Sequence, residues 1–217
     1  MITATVLVIL GVALVAVLWA MFRPSGSRAL PAAPERAVAE PQGSPVDVDL
    51  WNARVGDVIS IRGGAEDYSD LDFTVDRRSA YESGNHRWVD LSGEFRGRRV
   101  YLEVHRPLDP EVMGILDPRK LTIADLHLTE DQLADYDARQ DPNATLEFEG
   151  KIWRYESSRE IGYFEDEAGE GEGLYRWIFR EQGGTRLLCI EKWEGEPFDV
   201  RIARRINARD ITVYRAA

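Results

Sequence analysis

The sequence has few of the residues that most often carry metal-binding or redox chemistry. One cysteine and three histidines occur among 217 residues, so no internal disulfide can form. Cys189 lies in an apolar, strand-like run, which predicts a buried and unreactive thiol. His86, His105 and His127 fall in separate elements without a ligand spacing such as HxH or HExxH. We therefore interpret them as ordinary surface or strand histidines.

Recognisable catalytic motifs are also missing. The sequence has no serine nucleophile elbow, no phosphate-binding loop and no dinucleotide-binding fingerprint. It therefore predicts no catalytic residue, no metal ligand, no cofactor-binding residue and no cofactor. This favours a non-enzymatic role, although an activity without a known motif stays open.

Positive charge is outweighed by negative charge over most of the chain. The formal net charge is −11, and the first 22 residues contain no ionisable side chain. The acidity therefore belongs to the rest of the chain. An acidic surface repels nucleic-acid phosphates and anionic lipid headgroups, so neither is expected as a general ligand.

The uncharged N-terminus predicts a transmembrane anchor over residues 1–22. Its apolar run, Ile2 to Phe22, has 21 residues, and about 20 helical residues cross a bilayer core of roughly 30 Å. A cleaved signal peptide is the alternative, but no basic residue precedes the run and the sequence around Trp19 is a poor cleavage site. A buried helix of a soluble domain would show a polar face, which this run lacks.

The residues after the anchor predict the orientation and a spacer. Arg23, Arg28 and Arg36 follow the apolar run, so the positive-inside tendency places the C-terminal domain in the cytoplasm. Residues 23–47 are rich in proline, alanine, glycine and serine and lack hydrophobic periodicity, which is typical of a flexible linker. We expect a single-pass protein of the cell membrane whose partner is a membrane protein or a membrane-associated protein.

Residues 48–217 predict a mainly β domain built from two similar antiparallel units, in a sandwich or a barrel. Apolar and polar residues alternate in many short runs, and pairs such as Arg96-Gly97 and Glu149-Gly150 are typical of hairpin turns. The first unit covers about residues 56–106 and the second about 143–215. Similar residues recur 87 to 89 positions apart, including Trp88 with Trp177 and Glu103 with Glu191, which favours an internal duplication.

The segment between the units, about residues 107–142, predicts a connector with one short helix. Thr129 and Gln132 have the spacing of a capping box, in which each side chain accepts a hydrogen bond from the other residue's backbone. Glu130 and Asp131 add negative charge at the positive end of the helix dipole.

Three stretches resemble a known bacterial family. They are VGDVISIRG from Val55, RWVDLSGEFRGRRVYLEVHR from Arg87, and YRWIFREQGGTRLLCIEKWEGEPFDVRIARRINARDITVY from Tyr175. Together they are similar to the domain-of-unknown-function family numbered 4178, over roughly residues 50–217. The resemblance implies a membrane-associated accessory role and supplies no catalytic residues.

Glu103 and Glu191 are the most interesting pair of residues. If the two units pack about a pseudo-twofold axis, these carboxylates approach one another, as paired acids in an active site do. Alternation favours a different interpretation, in which Glu103 faces outward from the apolar side of its strand. In that case the two carboxylates pair with arginines such as Arg87 and Arg176 on neighbouring strands.

Two other features favour structural roles. Trp88 and Trp177 are expected to be core residues, because large aromatics contribute most of the burial in β domains. The acidic run from Glu165 to Glu172 lacks the ligand spacing of an EF-hand, so a solvated hairpin tip is the simpler interpretation.

The sequence therefore predicts a membrane-tethered interaction or accessory module. The alternative is a small-ligand-binding or metal-binding domain, or an enzyme, with its site between the two units, because repeat interfaces often form clefts.

Overall fold

The computed structural model describes residues 49–105, 112–117 and 119–216. These residues form a mainly antiparallel β structure with one α-helix, as predicted. The predicted transmembrane helix and the whole of the predicted linker, residues 23–47, lie outside the described residues. Within the described ranges, no helix has the length and apolar character needed to cross a membrane.

Eleven strands pair in one sheet, in the order β11-β1-β2-β3-β4-β5-β10-β9-β8-β7-β6. Their bounds are β1 Val58–Ile61, β2 Leu71–Ser83, β3 His86–Phe95, β4 Arg98–His105, β5 Val112–Ile115, β6 Thr145–Phe148, β7 Lys151–Phe164, β8 Glu172–Glu181, β9 Arg186–Trp193, β10 Asp199–Ile206 and β11 Ile211–Tyr214. The helix α1 is Glu130–Arg139, and 3-10 turns cover Leu50–Asn52, Glu165–Glu167 and Ala208–Asp210.

The sheet closes on itself to form a barrel. The far end of β2 pairs with β7, with Tyr81 opposite Tyr163, and this joins two strands that lie apart in the sheet order. Strands β2, β3, β4, β5, β10, β9, β8 and β7 therefore form a closed ring of hydrogen-bonded neighbours. Strands β1 and β11 extend the sheet beside β2, and β6 extends it beside β7.

Short turns set the register of the hairpins. Arg96 and Gly97 have φ angles of 50° and 77°, and Glu149 and Gly150 have 53° and 65°. Positive φ at both turn residues matches the right-handed twist of the flanking strands, which is why such turns join tight hairpins. Both turns are where the sequence predicts them.

Two apolar clusters lie on the outside of the ring, and the remaining elements cover them. The first half of the ring consists of β2 to β5, and the second half consists of β7 to β10. The first half contributes residues such as Leu91 and Leu102, which pack with Leu50 and with β1 and β11. In the second half, Phe179 and Trp177 pack under Leu133 of α1. The indole of Trp177 donates a hydrogen bond of 3.0 Å to the Leu133 carbonyl, so the helix is held by both burial and a polar contact.

The capping box of α1 is confirmed. Thr129 Oγ1 accepts from the Gln132 backbone N–H at 3.3 Å, and Gln132 Oε1 accepts from the Thr129 backbone N–H at 2.9 Å. The predicted connector also contains β5, a strand that the sequence analysis missed. All four of its residues are buried, so β5 has no alternation of apolar and polar positions to reveal it.

The two halves share a pattern of pairing, but the predicted match of the tryptophans is wrong. Strands β1 to β5 and β6 to β10 pair in the same sequence, and β2 and β7 each have a bulge. Asp90 faces Glu103 as Arg176 faces Glu191. When Asp90 is matched with Arg176 and Glu103 with Glu191, the residue that corresponds to Trp88 is Leu174, not Trp177. The shift arises because the β8–β9 turn has four residues, whereas the β3–β4 turn has two. Duplication itself stays a prediction.

Candidate functional site

The interior of the barrel contains buried charge. Four residues from two pairs of neighbouring strands, β3–β4 and β8–β9, point into the ring. We call them the interior cluster: Asp90, Glu103, Arg176 and Glu191. Their exposed fractions are 6%, 2%, 2% and 3%. Isolated charges at such depth are strongly unfavourable, so each needs a partner or must lose its charge. The cluster therefore marks a place where the sequence departs from ordinary core packing.

Arg176 links the two glutamates. Its Nη1 donates to Glu103 Oε2 at 3.0 Å, and its Nη2 lies 2.9 Å from Glu103 Oε1. The same Nη2 lies 2.6 Å from Glu191 Oε1. The Nη2 contacts are too bent to count as hydrogen bonds, yet at these distances and this depth the Coulomb attraction is strong. One guanidinium therefore holds two buried carboxylates.

The two ion pairs connect different parts of the ring. Glu191 is the neighbour of Arg176 across the β8–β9 pair. Glu103 belongs to β4, which is not hydrogen-bonded to β8. The Arg176–Glu103 contact therefore crosses the interior, from the second half of the barrel to the first.

Aromatic rings cover the guanidinium. The Arg176 Cζ atom lies 5.1 Å from the centre of the Tyr81 ring and 6.0 Å from that of Trp88. Tyr81 stacks on Trp88 at 5.5 Å, and Trp88 stacks on His105 at 5.2 Å. A cation near aromatic faces is attracted by the ring quadrupole, which partly replaces lost hydration.

The surroundings shift the pKa values of Glu103 and Asp90 in opposite directions. Burial by itself would raise the pKa of Glu103, but Arg176 and His105 lower it to about 2. Burial and the Glu103 charge raise the pKa of Asp90 to about 7. Glu103 is therefore ionised at neutral pH, whereas Asp90 titrates there.

A cavity of about 160 Å³ adjoins the cluster. Strands β3, β4 and β5 of the first half and β7 to β10 of the second half all contribute to its wall. The polar residues of the wall include His86, Trp88, His105, Arg159, Arg176 and Arg205. The cavity thus lies between the two halves, where the sequence analysis placed the site of its alternative function.

Besides Arg176 Nη2, whose contacts with Glu103 and Glu191 are ion pairs, three buried polar atoms of the interior cluster and Trp88 have no hydrogen-bond partner among the described residues. They are Trp88 Nε1, Arg176 Nε and Asp90 Oδ1. Trp88 and Arg176 line the cavity. Buried donors are usually satisfied, and leaving one unsatisfied costs about 1–3 kcal/mol. A polar molecule in the cavity is the simplest way to satisfy the two N–H groups.

The predictions for the two glutamates are partly right. The structure brings Glu103 and Glu191 to the same guanidinium, and Arg176 is one of the two arginines proposed as partners. The outward orientation of Glu103 is wrong, because the face opposite its apolar neighbours is the interior of a closed barrel. Arg87 is not their partner either, since it pairs with Glu82 at 3.2 Å.

The other predicted residues are distributed as follows. Cys189 is buried, and burial raises the pKa of its thiol to about 12. Trp88 and Trp177 are both buried, at 3% and 8% exposure, but the first faces the interior and the second the outer cluster under α1. His86 and His105 are strand residues, the first of β3 and the last of β4, and both also line the cavity.

The acidic run lies away from the cavity and is exposed. Glu165 pairs with Arg77 at 2.9 Å, and Glu167 lies 3.7 Å from Arg87. Within the described residues, no group of three or more histidine, cysteine, aspartate or glutamate side chains is placed to hold a metal ion.

Sequence reasoning missed Asp90 and Tyr81. Asp90 sits in the run WVDLS, directly opposite Glu103 in the β3–β4 register. The hairpin turn at Arg96-Gly97 fixes that register, so counting outward from the turn would have identified the pair. Tyr81 has no such signal, because it lies where β2 closes on β7, opposite Tyr163, and no local pattern indicates that pairing.

Comparison with known proteins gives one match. Residues 54–208 match the model of a family described as a domain of unknown function (DUF4178). No curated protein and no solved structure matches the chain.

The raised pKa of Asp90 predicts a pH-dependent cost. A carboxyl whose pKa rises on folding, here from 3.8 to about 7, binds more protons in the folded state. Its contribution to stability therefore falls as pH rises from about 4 to about 7. Asp90→Asn should remove this loss, so the variant should gain stability over the wild type through that window, by a few kcal/mol at most.

The measurement is the free energy of unfolding across a pH series. Glu170→Gln, which changes an exposed carboxylate in the hairpin tip, serves as the control. A difference between Asp90→Asn and wild type that stays constant from pH 4 to pH 8 would show that Asp90 is not a buried acid with a raised pKa.

Proposed function

The chain belongs to the DUF4178 family, and from that premise we propose that it is a membrane-tethered binding module rather than an enzyme. Its domain takes a small polar molecule into the barrel, and its tether keeps that domain beside membrane-protein partners. The cavity beside the interior cluster is the observation that carries the proposal. Two unpartnered buried N–H groups belong to residues of its wall.

In this proposal, residues from both halves of the barrel form the binding site. Both halves of the barrel contribute to the cavity wall, and the Arg176–Glu103 contact joins the halves directly beneath it. A ligand that contacts both halves stabilises their closed arrangement, because it binds the folded state alone.

The tether gives the module its location. The apolar run Ile2 to Phe22 crosses the membrane, residues 23–47 act as a flexible spacer, and Arg23, Arg28 and Arg36 hold the domain on the cytoplasmic side. Confinement to the membrane raises the effective concentration of the domain toward partners there. The net charge of −11 disfavours nucleic acid as a partner.

An enzyme is the second candidate, and one observation favours it. Asp90 and Glu103 face each other across β3 and β4 with pKa values of about 7 and about 2, and such divergent carboxyl pairs are typical of acid–base catalysis. Asp90 does not line the cavity, however. A proton donor with no path to a substrate fits a structural role better.

A thermal-shift screen of the full-length chain tests the binding function. The panel contains inorganic phosphate, succinate, spermidine, glycerol, AMP and zinc, each at millimolar concentration. At least one compound should raise the melting temperature of the wild type, because binding to the folded state alone stabilises it. Ser157→Phe places a ring in the cavity wall and should abolish that shift.

Thr145→Phe is the matched control, since Thr145 is exposed on the edge strand β6 and does not line the cavity. It should keep the shift. If no compound shifts the wild type, or if Ser157→Phe responds like the wild type, the cavity is not the binding site.

The tether makes a separate prediction. Deleting residues 2–22 should move the protein from the membrane fraction to the soluble fraction, because the bilayer-spanning segment is lost. Protease added to intact spheroplasts should leave the domain of the full-length chain undigested, while lysed cells should lose it. Digestion before lysis would reverse the orientation, and a deletion variant that stays with the membrane would show that Ile2 to Phe22 is not the anchor.

A further inference from the structure

We infer that the ligand of the barrel cavity is a small oxyanion, a carboxylate or phosphate group, held by Trp88 and Arg176 in the wall and by Arg159 at the rim. This rests on the proposed binding function and adds the chemical class of the ligand. Four features of the cavity carry it: the charge of the wall, the donors in it, the carboxylates near it, and its size.

The wall of the cavity is basic although the chain is acidic. Three arginines and two histidines line it, against one carboxylate, Glu156. Glu156 is already engaged, since its carboxylate accepts from Arg180 Nε at 3.0 Å and from Arg205 Nη2 at 3.3 Å. Arg176 already pairs with Glu103 and Glu191, so the wall charge left to attract a small anion is that of Arg159, which is exposed at the rim.

The wall also offers donors in excess of acceptors. Trp88 Nε1 and Arg176 Nε are buried N–H groups without a partner among the described residues. An indole N–H and a guanidinium N–H can only donate, so the group that satisfies them must bring acceptor oxygens. Carboxylate and phosphate oxygens form the stronger, charge-assisted version of such bonds.

The buried carboxylates next to the cavity, Glu103 and Glu191, do not form a cation-binding site. Glu103 and Glu191 both lie against Arg176, and neither lines the cavity. A metal ion or a polyamine would therefore meet arginines at the rim and no carboxylate other than the engaged Glu156. The positive charge of the arginines that line the cavity therefore disfavours a cationic ligand.

The size of the cavity limits the ligand. Its volume is about 160 Å³, comparable to cavities of about 150 Å³ that hold a benzene-sized molecule. Phosphate, acetate or succinate can enter such a space. A whole nucleotide cannot be buried there, although its phosphate can reach the rim.

Arg159 supplies the means to test the charge without disturbing the core. It is exposed on β7 and lines the cavity, and its described side-chain hydrogen bond is a donation of 3.2 Å to Ser157 Oγ. Arg154 lies on the same strand, is equally classed as exposed, and is absent from the cavity wall. The pair Arg159→Gln and Arg154→Gln therefore removes the same charge inside and outside the site.

The experiment is isothermal titration of the full-length chain with inorganic phosphate, acetate and succinate at constant ionic strength, with spermidine and glycerol as the cationic and neutral probes. We expect at least one oxyanion to bind. Arg159→Gln should weaken that binding about tenfold, the usual effect of losing one charge-assisted hydrogen bond, and Arg154→Gln should change it less than about twofold. Trp88→Phe should also weaken it, because the indole N–H is lost while an aromatic ring stays between Tyr81 and His105. The smaller ring should also lower the melting temperature of the unliganded protein, so binding is measured well below that temperature.

The outcomes separate the two levels of the proposal. Binding of spermidine or glycerol that Ser157→Phe abolishes, with no binding of any oxyanion, would overturn the oxyanion inference and leave the binding function standing. Oxyanion binding that Arg159→Gln and Arg154→Gln weaken equally would also overturn it, because the ion would then respond only to overall charge. Failure of every probe to bind would remove both.

Discussion

The buried contact of Arg176 with Glu103 and Glu191 is the interaction on which the barrel depends. A guanidinium that is 2% exposed loses most of its hydration, and only its partners can offset that cost. Removing one partner of such a group leaves an uncompensated charge, which costs about 3–5 kcal/mol. An apolar core of the same volume would often be as stable, so the charged cluster is better understood as specifying one arrangement of the strands than as adding net stability.

The same contact lies beside the cavity. Arg176 reaches across the ring to Glu103 and also lines the cavity of about 160 Å³. The ring centres of Tyr81 and Trp88 lie 5.1 Å and 6.0 Å from the guanidinium carbon, and Trp88 also lines the cavity. The charged interior and the cavity therefore share one buried arginine.

How far the sequence predicts this structure depends on the range of each interaction. Turns such as Arg96-Gly97 and the capping box of Thr129 act within a few residues, so local patterns predict them. The closure of β2 on β7 pairs Tyr81 with Tyr163, residues far apart in sequence, and no local pattern indicates it. Alternation places Glu103 opposite its apolar neighbours, but only closure makes that face an interior, and this is why the predicted outward orientation failed.

A double-mutant cycle on Arg176 and Glu103 tests the central role of this contact most directly. The free energy of unfolding is measured for wild type, Arg176→Met, Glu103→Gln and the double variant. If the contact joins the halves of the barrel, the double variant should be destabilised by at least about 2 kcal/mol less than the sum of the two single variants, since the second change removes a charge that the first left unpaired. Additive effects within about 0.5 kcal/mol would show that the two side chains act independently and would contradict the account.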